Sequence, residues 1–132
     1  MKDLFPYSKI VGWVISGLLG ALLIFSATLK MSLNEGVVKE MTKFGYPESS
    51  IFPIGVVEIA GVVLFLLPRT SLFGIALLTA YLGGTCATHI RASEGCTPNV
   101  IMATILWIGF LLRYPDVVRG TILGNQKTSE KN

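Results

Sequence analysis

The sequence predicts an all-α integral membrane protein: a four-helix bundle with a short amphipathic helix at the membrane interface between its first two membrane helices. Of the 132 residues, 52% are hydrophobic and only 14% are charged, whereas an average soluble domain carries about 25% charge. The apolar residues are gathered into four long runs, and most ionisable residues lie between the runs. A chain this small has no soluble shell that could bury four such runs, so the expected surrounding is the lipid bilayer.

Each apolar run is assigned to one helix. Residues 10–29 contain no ionisable side chain and reach the ~20 residues that a bilayer-spanning helix needs. The second run, 51–67, is interrupted only by Glu58, has Pro53 near its start and is followed by Pro68, which suits a first turn and a stop. The turn after Pro68 is so short that the third helix must run antiparallel to the second. The helices are expected over about 8–29, 51–67, 72–91 and 99–113.

The polar segments complete the predicted organisation. Gly95 and Pro98 mark the connection before the fourth membrane helix. The chain after Pro115 is polar and is expected to be solvated and frayed. Residues 1–120 are therefore expected to form a single membrane domain, and residues 121–132 a polar C-terminal tail.

The connection between the first two membrane helices has a helical pattern of its own. Asn34 is a suitable N-cap, and Gly45 is a suitable helix stop before Pro47. Two roles stay open for this helix at the membrane interface: a lid over the mouth of the bundle, or a connector that packs its apolar face downward, which the sequence favours. Its apolar face is predicted from the spacing of Leu33, Val37, Met41 and Phe44.

The distribution of lysine and arginine predicts the orientation in the membrane. The two termini and the turn after the second membrane helix share one side, which holds most of the basic residues. Both termini are therefore expected on the cytoplasmic side of a cell membrane. No basic stripe with interleaved aromatic residues is present, so nucleic acid is not an expected partner. The basic residues on the side of the termini are Lys2, Lys9, Arg69, Arg113, Arg119, Lys127 and Lys131.

The stretch GVVEIAGVVLFLLP, residues 55–68, carries a glutamate, Glu58, in an otherwise apolar run. A charge near the bilayer core costs at least ~2.5–3.5 kcal/mol on insertion scales, so such groups are usually paired, neutralised or functional. At about 1.5 Å per residue, Glu58 lies roughly 10 Å below the surface where its helix begins. The first and third membrane helices end at the same side and bring further polar residues there. The polar pocket expected in this half of the bundle consists of Lys30, Glu58, Tyr81, Thr85, His89 and Arg91.

Two interpretations of this cluster stay open. Glu58, paired with His89, Arg91 or Lys30, could handle protons or bind a ligand in the pocket. It could equally form a structural ion pair that fixes how the helices assemble. No metal site is expected, because one histidine and two cysteines without CxxC or HxxxH spacing are a poor ligand set.

Cysteines and glycines add two further predictions. Cys86 and Cys96 are separated by enough chain to fold back to the ~5.5–6 Å Cα separation of a disulfide, on the side expected to be oxidising. The alternative, which the sequence favours, is a free Cys86 that only packs. Small residues let helices approach closely in lipid, and the glycines expected to serve this packing are Gly55, Gly61, Gly83 and Gly84.

Several segments in order resemble the DoxX-like family of small four-helix membrane proteins, over roughly residues 8–120. The segments are GLLGALLIFSATLKM, GVVEIAGVVLFLLPRTSLFGIALLTAYLGGTCATHIRASEG and ILWIGFLLRYPDVVR. The resemblance implies a four-helix bundle, multi-pass in the cytoplasmic membrane if the source is bacterial. The polar and glycine positions it carries over are Lys30, Glu58, Gly83, Gly84 and His89.

The resemblance also implies a direction for the function. Relatives are linked to quinone-coupled oxidation of sulfur compounds and to membrane complexes for redox and thiol stress, while distant animal relatives act as assembly chaperones for membrane receptors. The expected function is a redox-associated membrane subunit that is quinone- or thiol-linked. The cofactor that this function implies is a quinone. The expected partners are another membrane or redox protein, or further copies of the chain. The alternative is a non-enzymatic assembly factor. Cys86 and Cys96 match no pattern of the family.

Overall fold

The computed structural model describes residues 7–122, which are almost entirely helical and contain no strand. The all-α fold class is confirmed, and the five predicted helices are found within about one turn of their expected bounds. A sixth helix follows them. The helices are α1 Ser8–Met31, α2 Glu35–Lys43, α3 Glu48–Leu66, α4 Ser71–Arg91, α5 Thr97–Arg113 and α6 Pro115–Ile122.

Four long helices form the bundle. Helix α1 packs against α3 and α5, and α4 packs against the same two helices, so α1 and α4 occupy opposite corners. We call the end where α1 and α4 finish the Lys30 end, and the end where α3 and α5 finish the Arg113 end. The core between the helices consists of Leu23, Val62, Phe65, Ile75, Leu78, Leu82, Leu106 and Phe110.

Large apolar side chains cover the outside of the bundle as well as its core. Phe25 and Phe73, for example, are 63% and 70% exposed, as expected for side chains that face lipid. Helices α1, α3 and α4 are long and apolar enough to cross a membrane. Helix α5 and residues 115–121 meet at a 92° bend, and a fourth crossing is counted only if this bent pair is one span.

Helix α6 corrects the prediction for the chain after Pro115. This segment was expected to be solvated and frayed, but Pro115 begins a helix of eight residues. Proline suits a first helical position because its missing N–H would have no partner there. The remaining residues of the predicted tail, 123–132, lie outside the described residues, as do residues 1–6.

Helix α3 begins earlier than its proline suggested. The predicted start at Ile51 placed Pro53 in the first turn, whereas the helix begins at Glu48 with Pro47 as its N-cap, and Pro53 lies inside it. Proline there removes one backbone hydrogen bond near the start of the helix. The extra turn is supported by Ser50, whose backbone N–H and hydroxyl both donate to the Pro47 carbonyl.

Both ends of α2 form as their residues predict. The Asn34 side chain accepts a hydrogen bond from the Gly36 N–H at 3.1 Å. At the other end, the N–H groups of Gly45 and Tyr46 donate to the carbonyls of Thr42 and Met41, which is the Schellman arrangement. It requires a left-handed residue, and Gly45 has φ +90°. These caps place Tyr46 over the Lys30 end.

Candidate functional site

A buried ion pair joins α1 and α3 at the Lys30 end. Lys30 Nζ lies 2.9 Å from Glu58 Oε2, and the two side chains are 12% and 1% exposed. Lys30 also donates to Ser26 Oγ at 2.6 Å, one turn earlier on α1. Gly55 lets α1 approach closely here, since a Cβ on it would lie 3.1 Å from the Lys30 Cβ. Of the three partners considered for Glu58, the structure selects Lys30.

Tyr81 of α4 completes this group. Its ring centroid lies 6.0 Å from Lys30 Nζ, the outer limit of a cation–π contact. The Tyr81 hydroxyl also interacts electrostatically with the Glu58 carboxylate. Three helices therefore bring a cation, an anion and a phenol together inside the apolar bundle.

The group borders a cavity of about 630 Å³ at the Lys30 end, within the ~300–1,000 Å³ that is usual for small-molecule sites. Most of its lining is apolar, and it reaches the surface of α1, because Leu22 and Phe25 line it and are 50% and 63% exposed. Its polar lining residues include Ser26, Lys30, Tyr46, Glu58, Tyr81, Thr85, Thr88, His89 and Asn99.

Helix α2 covers the cavity. Its residues Val37, Met41 and Phe44 line the space directly, and Phe44 contacts the His89 ring edge-on at 5.0 Å between centroids. The Tyr46 hydroxyl lies 2.7 Å from Thr88 Oγ1. Since the Thr88 hydroxyl donates to the Gly84 carbonyl, Tyr46 is the donor of this bond. Three of the four residues predicted for the apolar face of this helix thus form the roof of the cavity. Leu33 was predicted wrongly, because it precedes the N-cap Asn34, is 41% exposed and does not line the cavity.

The pairing of His89 with Glu58 that the sequence left open is not found. His89 pairs with Glu94 instead. Its Nδ1 lies 3.1 Å from Glu94 Oε2, and Lys43 Nζ of α2 lies 3.3 Å from Glu94 Oε1. These hydrogen bonds, from His89 first and then from Lys43, lower the pKa of the Glu94 carboxyl. Glu94 thereby links the end of α4 to α2. No role for Glu94 was predicted from the sequence.

The remaining predicted pocket residues differ in their placement. Thr85 lines the cavity, although its hydroxyl donates to the Leu82 carbonyl at 2.9 Å. Arg91 is a correction: it is the last residue of α4, is exposed and is not among the lining residues. Tyr46 was not predicted from the sequence, although its position directly after the helix stop Gly45 was an available signal.

The cysteines and glycines can also be placed. Cys86 and Cys96 are joined by a disulfide with a Cα–Cα separation of 4.8 Å, so the free Cys86 favoured from the sequence is not found. Gly55 and Gly61 lie at close contacts with α1 and with Leu78 of α4. A Cβ on Gly83 or Gly84 would meet no other atom within 4 Å. The use of these two glycines in helix packing stays a prediction.

The Arg113 end holds a second buried cation of a different kind. Arg113 is 4% exposed and donates to the Phe65 carbonyl at 3.1 Å and to the Tyr114 hydroxyl at 3.2 Å. Its guanidinium lies 3.9 Å from the Trp13 ring centroid. No acidic side chain within residues 7–122 pairs with it. From the sequence, Arg113 is only one of the basic residues that predict the orientation in the membrane.

The family model described as the DoxX-like family matches residues 14–112, well over half of the chain. The chain belongs to the DoxX-like family. No curated protein and no solved structure matches it significantly. Family membership and the apolar helices together make this a small membrane protein.

The cavity of this DoxX-like protein offers definite chemistry. Lys30 and Tyr81 supply hydrogen-bond donors, and Glu58 supplies an acceptor, within a mostly apolar wall. Such a site suits a small molecule with an acceptor headgroup and an apolar remainder. Within the described part of the chain, no group of three His, Cys, Asp or Glu side chains is placed to hold a metal ion.

Proposed function

We propose that this protein is a redox-associated membrane subunit whose cavity binds the headgroup of a quinone. The observation that carries the proposal is that the Lys30–Glu58 pair borders a cavity of about 630 Å³ instead of being sealed by packing. Ionisable residues within membrane helices usually mark a functional site. A purely structural pair would gain nothing from an adjoining space that reaches the lipid-facing surface.

The residues around the cavity fit the chemistry of a quinone. Its two carbonyl oxygens only accept hydrogen bonds, and the Lys30 ammonium and the Tyr81 hydroxyl are donors. Glu58 stabilises the charge on Lys30, and the low dielectric of the bundle strengthens these interactions. Reduction to the quinol adds two electrons and two protons, and this donor group can stabilise the charge that develops on oxygen. The exposed Leu22 and Phe25 leave a path for an apolar tail.

The orientation belongs to the proposal as well. The excess of Lys and Arg on the side of the termini supports a cytoplasmic Arg113 end and a Lys30 end on the opposite face of a cell membrane. A disulfide at the Lys30 end agrees with an oxidising compartment there. The cavity would then lie in the outer leaflet.

A second candidate is an assembly factor that holds a helix of a client protein. Gly83 and Gly84 favour it, because both are exposed on α4 with open space in front of them. Gly83 also lines a groove of about 480 Å³ between α4 and α5. Exposed small residues are the surface that another membrane helix needs for close approach.

Native mass spectrometry of protein gently extracted from its own membrane tests the proposal. We expect a retained mass that matches a quinone on the wild type, and its loss in Glu58→Gln. Glu48→Gln is the matched control, since Glu48 lies at the same end, is exposed and shows no ion pair with a described residue. A wild-type chain that carries only a stoichiometric protein would overturn the quinone site in favour of the assembly factor.

A further inference from the structure

The loop between α4 and α5 is closed by a covalent bond and carries the residue that holds α2. The disulfide joins Cys86, inside α4, to Cys96, the N-cap of α5. Between them, Glu94 binds His89 on one side and Lys43 of α2 on the other. The position of Glu94, and hence its ion pair with Lys43 of α2, depends on the conformation of this loop.

The loop is held in a conformation that it would not adopt freely. Ser93, next to Glu94, has φ +60°, a left-handed conformation that is unfavourable for a residue with a side chain. The two hydrogen bonds of a Schellman cap keep it there, from the Ser93 N–H to the Ile90 carbonyl at 3.0 Å and from the Glu94 N–H to the His89 carbonyl at 2.8 Å. The disulfide adds a covalent constraint, because it closes the loop from Cys86 to Cys96. Opening the disulfide removes the covalent constraint and leaves only the hydrogen bonds of the cap.

We propose that Cys86–Cys96 is an exchangeable disulfide that reacts with an external dithiol, and that its reduction loosens α2 over the cavity. In this step the S–S bond breaks and Cys86 and Cys96 become thiols. The two sulfurs of the dithiol join as a disulfide and supply the two electrons and two protons. The loop then relaxes at Ser93, and Glu94 leaves Lys43.

The position of Cys96 supports exchange. As the N-cap of α5, it lies at the positive end of the helix dipole, which favours a negative charge. A thiolate there is a good leaving group when the disulfide is attacked. Both cysteines are half-buried rather than sealed in the core, so an attacking thiol can approach.

The consequence for the ligand follows from the roof of the cavity. Val37, Met41 and Phe44 of α2 line the space, so a loosened α2 uncovers it at the Lys30 end. This consequence rests on the proposed function, whereas the link between the disulfide and α2 does not. An experiment on the protein without added quinone therefore separates the two.

Hydrogen exchange read by mass spectrometry tests the link on the full chain in lipid nanodiscs, before and after treatment with dithiothreitol. A thiol-specific tag measures the fraction reduced. We expect amides of residues 35–46 to exchange about tenfold faster after reduction, while α3 stays protected. A disulfide that dithiothreitol does not reduce in the folded protein, or unchanged exchange after full reduction, would overturn the proposal.

Two variants distinguish an effect that the loop transmits to α2 from a general loss of structure. In the oxidised protein, Glu94→Gln should speed exchange in residues 35–46 as reduction does, and reduction should add little to it. Glu48→Gln makes the same change of charge at the same end and should leave the exchange of α2 unchanged. Equal protection of α2 in oxidised Glu94→Gln and wild type would show that Glu94 does not connect the disulfide to α2.

Discussion

The two ends of the bundle each bury a cation, and they stabilise it in opposite ways. At the Lys30 end, the ammonium has a carboxylate partner at 2.9 Å and an open cavity beside it. At the Arg113 end, the guanidinium has no acidic partner among the described residues and is enclosed by Trp13, Phe65 and Tyr114. The same charge therefore borders an open cavity at one end and is enclosed by packed rings at the other.

The chemistry of the two side chains explains the difference. A guanidinium is planar and weakly hydrated, so it stacks on aromatic rings and donates to carbonyls. Arg113 also lies in the last turn of α5, where the helix dipole favours a positive charge. An ammonium is a compact charge that needs acceptors close by. Lys30 finds them in Glu58 and Ser26, which leaves its charge next to the cavity rather than hidden by rings.

The largest effect is expected from Lys30→Met. It leaves the Glu58 carboxylate buried without its partner, which lowers the free energy of unfolding by about 3–5 kcal/mol. Denaturant titration in detergent, followed by tryptophan fluorescence, measures the change. Lys9→Met, an exposed lysine of the same helix, is the control.

The double variant Lys30→Met/Glu58→Leu sharpens the comparison. Replacing both charges with apolar groups should restore most of the stability, to within about 1–2 kcal/mol of the wild type, while quinone retention stays lost. Recovery of both stability and ligand would show that the Lys30–Glu58 pair serves packing alone, as Arg113 does.

Arg113→Met should have the next largest effect. It removes the contacts with three rings and the bond to the Phe65 carbonyl, so the free energy of unfolding should fall by about 2–4 kcal/mol. Ligand retention in native mass spectrometry should match the wild type in the fraction that remains folded. Arg113→Lys should recover little of the loss, since an ammonium cannot stack as a planar group does. Full recovery with lysine would mean that charge alone matters at this end.

Alanine substitutions of two glycines should have smaller effects on stability, and these effects should differ between the closely packed Arg113 end and the Lys30 end with its open cavity. A Cβ on Gly12 would lie 2.8 Å from the Arg113 backbone N, whereas a Cβ on Gly84 meets nothing within 4 Å. Gly12→Ala should therefore lower the free energy of unfolding by about 1–3 kcal/mol through overpacking. Gly84→Ala should leave stability equal or raise it by up to about 1 kcal/mol, because alanine favours a helix. Equal losses from both in thermal unfolding would contradict the contrast in packing.

The sequence was sufficient for the helices and for the general place of the site. Long uncharged runs, Asn34 and Gly45 are local signals, and local signals determine where helices begin and end. The convergence of Lys30, Glu58 and Tyr81 followed from topology, because antiparallel helices that end on one side bring their ends together. The same argument could not decide which cation faces Glu58, since that depends on helix rotation and on close approach at Gly55.

Other features depend on contacts that no local pattern contains. The pairing of His89 with Glu94 requires a left-handed Ser93 that turns the loop back, and serine seldom adopts it. The burial of Arg113 depends on Trp13 and Phe65, which lie about 100 and 48 residues away in sequence. An arginine at the end of a membrane helix ordinarily indicates the interface, so its enclosure by rings was not predictable.

The smallest expected effect concerns α2, which covers the cavity at the Lys30 end. The pKa of Glu94 is lowered from its ordinary value of 4.5 by hydrogen bonds from His89 and Lys43. A lowered carboxyl pKa stabilises the folded contact above pH 4.5, and this contribution is lost as the pH falls through the lowered value. Carboxyl carbon NMR of glutamate-labelled protein should show Glu94 titrating below pH 4.5, and Lys43→Gln should move its pKa upward. A Glu94 pKa that Lys43→Gln leaves unchanged would mean that α2 is held over the cavity by Phe44 and Tyr46 alone, without the charge of Lys43.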